Sequence, residues 1–337
     1  MRVSADLKPF LEPRSVALVG VPRRTGRGSF NILEILLGMG FPGRVYPVNP
    51  QAKEILGVPA YPSLKAIPEA PDLAVMMLPR EAVPPTLEDC VRRGIRAAIV
   101  VSDGFAEADA EGKKLQARLV EIVRGSGCRL VGPNSLGVVN NFARFTTTFL
   151  PVPKGAQPLA LVSQSGGFFA GFANFVPGKA LDLGNMADVD FADALDHFAA
   201  DPAIRVIALH IEGLKDGRRF LASARRVARE KPVLVLKTGR SELAQRTAAT
   251  HTGSLAGSDQ VFDALCHQAG LIRVKDGDEL GDIAGAFQHL PPFTGNRLGI
   301  ITPTGGGAVL ALDSLEKYGF TLAKLSQAAV EDRKSVV

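Results

Sequence analysis

The chain has 337 residues, 46% of them hydrophobic and 22% charged, with a formal net charge of +5. That length predicts two domains and part of a third; no apolar run reaches the roughly 18 residues of a membrane span, and residues 1–14 lack a signal peptide's basic-then-apolar plan, so a cytoplasmic address is expected. The positive balance comes without a Lys/Arg-rich run, without tryptophan and with only three tyrosines, which disfavours nucleic acid and membranes and points to anionic small molecules. Cys90, Cys128 and Cys266 are odd in number and far apart. They fit neither a disulfide framework nor a metal site and read as buried thiols.

Residues 15–20 form a short apolar run ending in Gly20, and a helical pattern follows over 31–38. This predicts a buried parallel strand feeding a helix. The alternation recurs at 45–48, 73–78, 97–101 and 129–131, so residues 1–148 are expected to form a doubly wound, Rossmann-like α/β sheet with a ligand site at its carboxyl edge. The first strand end is equipped for phosphate. Gly20, Gly26 and Gly28 permit close backbone approach, Arg23, Arg24 and Arg27 bring charge, and Ser29 closes the turn. It is not a clean G-x-G-x-x-G, and the second strand ends in Val48, Asn49 and Pro50 where a nicotinamide site wants an acid; NAD is thereby disfavoured. Lys53 either meets a further ribose phosphate or is a solvated surface lysine.

Residues 149–158 are rich in proline, carry no period and read as a linker. A second α/β domain over 159–290 opens with a strand at 159–162 that runs into Ser163, Gln164, Ser165 and Gly166. Such a turn presents free N–H groups and the positive end of a helix. Strands at 205–211 and 232–236, joined by an amphipathic helix over 217–229, place their ends on one edge, so Glu212 and the segment leading to His251 share a crevice. His251 stands ahead of Thr252 and Gly253 and before a helix expected at 258–268. A carboxylate on one imidazole nitrogen leaves the other free to attack a phosphoryl group, whereas the motif taken alone also suits a surface loop. His197, His210, His267 and His289 lie in or after regular elements and are read as having no role. Residues 296–331 open another strand, glycine turn and helix that cannot make a core alone, and 332–337 read as a translated adapter on a truncated frame.

Taken together, Val48-Asn49-Pro50, Leu78-Pro79, Ser102-Asp103-Gly104-Phe105 and Gly132-Pro133-Asn134-Ser135-Leu136-Gly137 resemble the CoA-binding domain of NDP-forming acyl-CoA synthetases. That family comprises ADP-forming acetyl-CoA synthetases and, more distantly, the alpha subunit of succinyl-CoA synthetase. Gly184-Asn185, residues 187–191, Ile211-Glu212-Gly213 and residues 251–259 extend the resemblance over nearly the whole chain. It implies a Rossmann-like CoA-binding domain followed by a flavodoxin-like phosphohistidine domain, and an acetate-type CoA ligase activity. By position, the 20–29 loop, Val48, Pro50 and Lys53 would hold the nucleotide end of coenzyme A, Leu78, Pro79 and Ser102 would line the pantetheine path, and Asn134 and Ser135 would lie near the thiol. Ser163, Ser165, Gly166 and Gly253 would bind phosphate, His251 would carry the phosphoryl group and Glu212 would support it.

The resemblance further implies ADP or ATP with Mg on an ATP-grasp part, supplied by a partner subunit or further domains because nothing here resembles one, together with a small acyl-CoA or carboxylic acid and an oligomeric assembly. The alternative is a CoA-binding regulatory module of an acyltransferase-type relative without phosphoryl transfer, against which stand both His251 and Glu212. One departure is the short spacing from Gly167 to Gly184, which predicts a stunted helix after Ser165.

Overall fold

The computed structural model describes all residues except 1–5, 27–28, 154, 172–175, 242–243, 245–257, 292 and 332–337. His251, Gly253 and Gly28 therefore lie outside the described residues. The chain divides into two units, Met1–His289 and Leu290–Val337.

The first sheet is built from β1 (Ser15–Val19), β2 (Arg44–Val48), β5 (Leu73–Met76), β6 (Ala97–Val100) and β7 (Arg129–Val131), with a small antiparallel hairpin of β3 (Glu54–Ile55) and β4 (Val58–Pro59) inserted after β2. The order across the sheet is β2-β1-β5-β6-β7, all parallel. Strands β1, β5 and β6 are buried at every position because helices cover both faces, which is why they read as unbroken apolar runs. The helices start where side chains supply the missing acceptors: Asn31 accepts from Leu33 and Glu34 N–H ahead of Ile32–Gly38, and Asp109 from Gly112 N–H ahead of Ala110–Val123.

The second sheet contains β8 (Val138–Asn140), β9 (Phe145–Thr146), β10 (Gln157–Ser163), β11 (Pro177–Asp182), β12 (Val206–Ile211), β13 (Val233–Lys237) and β14 (Ile272–Val274). Its order is β14-β13-β12-β10-β11-β8-β9, parallel from β14 to β11 and antiparallel at β8 and β9. The chain thus enters the second sheet at Val138, ahead of the proline-rich stretch and of the boundary expected at 148/149. The reason is hydrogen bonding: without β8, the edge of β11 would carry unpaired backbone groups.

Nor are the two sheets beads on a string. One apolar core takes in Leu18 and Val75 from the first sheet, Val162 and Ile207 from the second, and Phe10 and Leu11 of the short helix Lys8–Leu11. After Ser165 comes the helix Gly166–Gly171, which leads into the undescribed residues 172–175, and β11 follows over 6 residues, so the strand forms despite the short spacing. Cys90, Cys128 and Cys266 are free and buried, and burial pushes the Cys128 thiol up to about 12 and that of Cys266 up to about 11. Among the described residues no helix is long and apolar enough to cross a membrane, and no His, Cys, Asp and Glu cluster could hold a metal.

In the second unit, β15 (Arg297–Leu298) pairs in parallel with β16 (Thr321–Leu322), and the helix Gly305–Lys317 is capped by Thr304. Ile301, Leu310 and Tyr318 stay exposed there.

Candidate functional site

In an open parallel sheet the ligand crevice forms where adjacent strands send their connections to opposite faces. In the first sheet that point lies between β1 and β5. Gly20 follows β1 with φ +84°, and a Cβ there would stand 2.2 Å from the Met77 carbonyl oxygen, so glycine alone fits. The loop beyond it is held from inside. The Asn31 amide donates to the Pro22 and Arg24 carbonyls at 3.0 and 2.9 Å, the Asn49 amide donates to the Val21 carbonyl at 3.1 Å, and Glu34 accepts the Gly26 N–H at 3.0 Å. Arg23, Arg24, Pro50 and Lys53 are exposed, Ser29 is half-buried and Val48 is buried. The Ser102 hydroxyl lies between β5 and β6, donating to the Leu78 carbonyl at 2.5 Å and accepting the Leu78 N–H at 3.0 Å, which sets the path of Leu78 and Pro79.

From β7 the chain turns through 132–137 and locks onto the second sheet. Asn134 takes φ +57° with its N–H on the Ser102 carbonyl at 2.8 Å. Ser135 is buried; its hydroxyl donates to the Asp182 carbonyl at 2.5 Å and accepts the Gly137 N–H at 2.9 Å. Ser135 therefore serves the join between the sheets. Gly184 packs so tightly that a Cβ would lie 2.3 Å from the Pro133 and 2.4 Å from the Asn134 carbonyl oxygens. Asn185, Ala187 and Val189 N–H donate to the Pro133, Gly132 and Leu130 carbonyls at 2.9, 2.9 and 3.1 Å.

Asp188 and Asp193 bind Arg129 at 2.7 and 3.1 Å, while Asp190 caps the helix Phe191–Ala200 and binds Arg219 at 2.8 Å. Asn185 reaches Glu107, whose Oε1 accepts the Gly104 and Phe105 N–H groups at 2.7 and 3.0 Å. The 184–191 motif is thus the mortise of the molecule.

The second sheet repeats the crevice between β10 and β12. Ser163 pairs in register with Asp182 on one side and His210 on the other. The Ser163 hydroxyl donates to the Ser165 carbonyl at 2.9 Å, which uses its one proton, so it accepts from Ser165 N–H at 3.1 Å and from His210 Nδ1 at 3.2 Å. His210 Nε2 is then the acceptor for the Thr238 hydroxyl at 3.1 Å. Burial, helped by Lys237, pushes His210 down to about 4, which keeps it neutral, and the Phe168 ring stacks on it at 3.9 Å. Glu212 follows β12; its N–H and that of Gly213 both donate to Gln164 Oε1 at 3.0 Å, and Lys237 Nζ donates to the Glu212 carbonyl at 2.8 Å.

The structure therefore brings Ser163, Ser165, Gly166 and Glu212 to one sheet edge. Ser163, completely buried, shapes the turn instead of facing solvent. Of the buried polar residues at this edge, Asp182 escaped the sequence reading and His210 was read as having no role. His210 interrupts an apolar strand one position before its end, and Asp182 closes another; a polar side chain at the carboxyl end of a buried strand was the available signal for both. A cavity of about 1160 Å³ lined by Glu12, Arg44, Lys179 and His197, among others, contains none of these strand-end residues.

Residues 14–141 match a CoA binding domain, and residues 156–287 match the succinyl-CoA ligase like flavodoxin domain. The chain is 40% identical over 336 residues to subunit alpha of ADP-forming acetate–CoA ligase II of Pyrococcus furiosus, covering 97% of this chain and 72% of that one. It is 38% identical over 336 residues to ADP-forming acetate–CoA ligase II of Archaeoglobus fulgidus, covering 97% of this chain and 50% of the relative. Dinucleotide forming acetyl-coenzyme A synthetase 1 of Ca. Korarchaeum cryptofilum, solved in complex with phosphate and ADP, superposes with a TM-score of 0.91 at 34% identity over 98% of this chain and 73% of that chain. Two domain models in this order and that identity along almost the full length make the conclusion direct: the chain belongs to the ADP-forming acetate–CoA ligase family, as an alpha-subunit-like part of such an enzyme.

Proposed function

We propose that the chain binds coenzyme A at the first switch point and interconverts acyl-CoA plus phosphate with acyl phosphate at the join, passing the phosphoryl group through His251. The observation that carries this reading is the lock between Ser135, Leu136 and Asp182, which sets the turn after β7 against the sheet edge holding Ser163, Ser165 and Glu212. The exposed Arg23, Arg24 and Lys53 offer charge to the CoA phosphates, with Gly20, Gly26, Gly28 and Ser29 shaping the loop. Leu78, Pro79 and Asn134 flank the way to the thiol.

A phosphate oxygen attacks the thioester carbonyl, the C–S bond breaks and the departing thiolate takes a proton. An imidazole nitrogen of His251 then attacks phosphorus and the carboxylate leaves. Glu212 holds the other nitrogen's proton, and Ser165, Gly166 and Gly253 offer main-chain N–H groups to the phosphate. The phosphoryl group would then pass to ADP on an ATP-grasp part, supplied by a partner subunit or by further domains, where Mg would offset the phosphate charge.

Incubation with 32P-labelled acetyl phosphate tests this. The chain should acquire an acid-labile phosphate that is lost in His251→Ala and falls at least about tenfold in Glu212→Gln, the scale of a lost orienting group. Full labelling of His251→Ala would remove the histidine from the mechanism.

A further inference from the structure

Two carboxylates flank the turn after β10. Asp182 ends β11 on one side of Ser163; on the other, Glu212 follows β12 two residues beyond His210. Asp182 is fully buried, its Oδ2 accepting the Leu136 N–H at 2.7 Å and its Oδ1 the Gly184 N–H at 3.3 Å. Gly166 lies against it: a Cβ there would stand in ordinary contact with Oδ2, at 3.6 Å, and 3.0 Å from the Leu136 side chain.

The groups that the neighbouring elements bring to this sheet edge can be taken element by element. The 132–137 turn contributes main-chain N–H, and the helix Gly166–Gly171 contributes backbone at Gly166. From β12 come Glu212, whose charge bears on Asp182, and the neutral His210. From β13 comes Lys237, which spends its ammonium on the Glu212 and Thr238 carbonyls and whose own charge is disfavoured by burial. Burial first, and Glu212 after it, push the Asp182 carboxyl up to about 7 against the two backbone N–H groups that oppose the shift.

We propose that Asp182 is a positioning residue of the phosphate crevice that holds a proton whenever inorganic phosphate or an acyl phosphate is bound. This rests on the reading above that the crevice binds phosphate. A dianion placed between two ionised carboxylates in a low-dielectric site meets repulsion from both. One proton on Asp182 removes half of that field. The neutral acid still has lone pairs for Leu136 and Gly184, so the join to the first sheet survives the change of charge. Release of acyl phosphate then frees the proton, and the crevice returns to its repelling state.

The test is calorimetric titration of the full chain with inorganic phosphate from pH 6 to 9 at fixed ionic strength, wild type against Asp182→Asn. The ratio of wild-type to variant affinity should fall about tenfold per pH unit between about 7 and 9, because one proton is linked to binding in the wild type only. Phosphate's own protonation cancels in that ratio. Repeating the titration at pH 8 in buffers of different ionisation heat should show close to one extra proton absorbed per phosphate bound by the wild type.

Because Asp182→Asn sets an amide against a backbone N–H and can impair folding, carboxyl carbon NMR of Asp-labelled wild type supplies an independent reading. One signal should titrate near 7 and move up by about two pH units or more when phosphate is added. Parallel pH slopes in the two proteins, or no such signal, overturn the proton uptake while leaving phosphate binding intact. Absence of phosphate binding in both proteins overturns the crevice reading itself.

Discussion

The two sheets of Met1–His289 are the same device loaded in opposite ways. In each, the five principal parallel strands run second, first, third, fourth, fifth in chain order, β2-β1-β5-β6-β7 in one and β11-β10-β12-β13-β14 in the other, and each opens a crevice beside its first strand. At the first crevice the charges are outside: Arg23, Arg24 and Lys53 stand exposed on a scaffold of internally bonded backbone. At the second they are inside, where Ser163, Asp182 and His210 are buried at the strand ends. Exposed cations are solvated and interact weakly one by one, which suits a long ligand that brings several anionic groups. Buried groups interact strongly, and their protonation states become part of the structure. Topology fixed the place in both halves; depth decided the chemistry.

Breaking the join should have the largest effect, since it is what makes the two crevices one site. In Gly184→Ala a methyl group would have to displace the Pro133 and Asn134 carbonyls from a residue at φ +50°. A loss of about 3–5 kcal/mol in denaturant titration is expected, with loss of acetyl phosphate labelling. Unchanged labelling would mean that the second crevice works without the first.

His210→Leu should follow. It removes the acceptor of the Thr238 hydroxyl and a donor to Ser163 while keeping bulk, for a loss of about 1–3 kcal/mol at pH 7. The pH dependence has a definite sign. His210 is held below its unfolded value, so between about 6.5 and about 4 the unfolded chain binds a proton that the folded one refuses, and wild-type stability falls as pH falls through that window. The variant should lack this component in acid denaturation curves.

Asp182→Asn should show the reverse slope. The raised carboxyl keeps a proton in the folded state that the unfolded chain releases above about 4, so wild-type stability drains away as pH rises from about 4 to about 7. Relative to wild type, the variant should gain stability across that range in parallel denaturant titrations at each pH. In the wild type the two components oppose one another, and only the single variants separate them. The smallest effect belongs to the exposed side: Lys53→Ala should weaken coenzyme A several-fold at most, on the scale of one solvent-exposed charge contact, and leave dephospho-CoA unchanged in the same titration. Equal losses for both ligands would take Lys53 off the ribose phosphate.

Much of the first sheet was legible because its strands are apolar runs separated by helical periods, each closed by a glycine or proline that marks the strand end. The second was harder. Strands β8 and β9 are short and lie before the proline-rich stretch, where the local pattern singles out no strand; only the free edge of β11 explains their place. Ser135 and Ser163 stand at the expected strand ends, yet their hydroxyls turn inward to Asp182, His210 and backbone, because a hydroxyl beside a buried unpaired group is drawn to it before any ligand arrives.

By itself the sequence determined the longer apolar strands and the helices between them, where the glycine-bearing ends fall and that Glu212 follows a buried strand, all properties carried by periods of a few residues. Tertiary structure alone decided that Asp182 and His210 sit on either side of Ser163, that residues 184–189 bond to 130–133, and that one carboxyl is left at zero exposure beside another acid. Strand order and depth of burial are set by which distant segments pack together, and the free energy of a charged or hydrogen-bonding group depends on that depth more than on its neighbours along the chain.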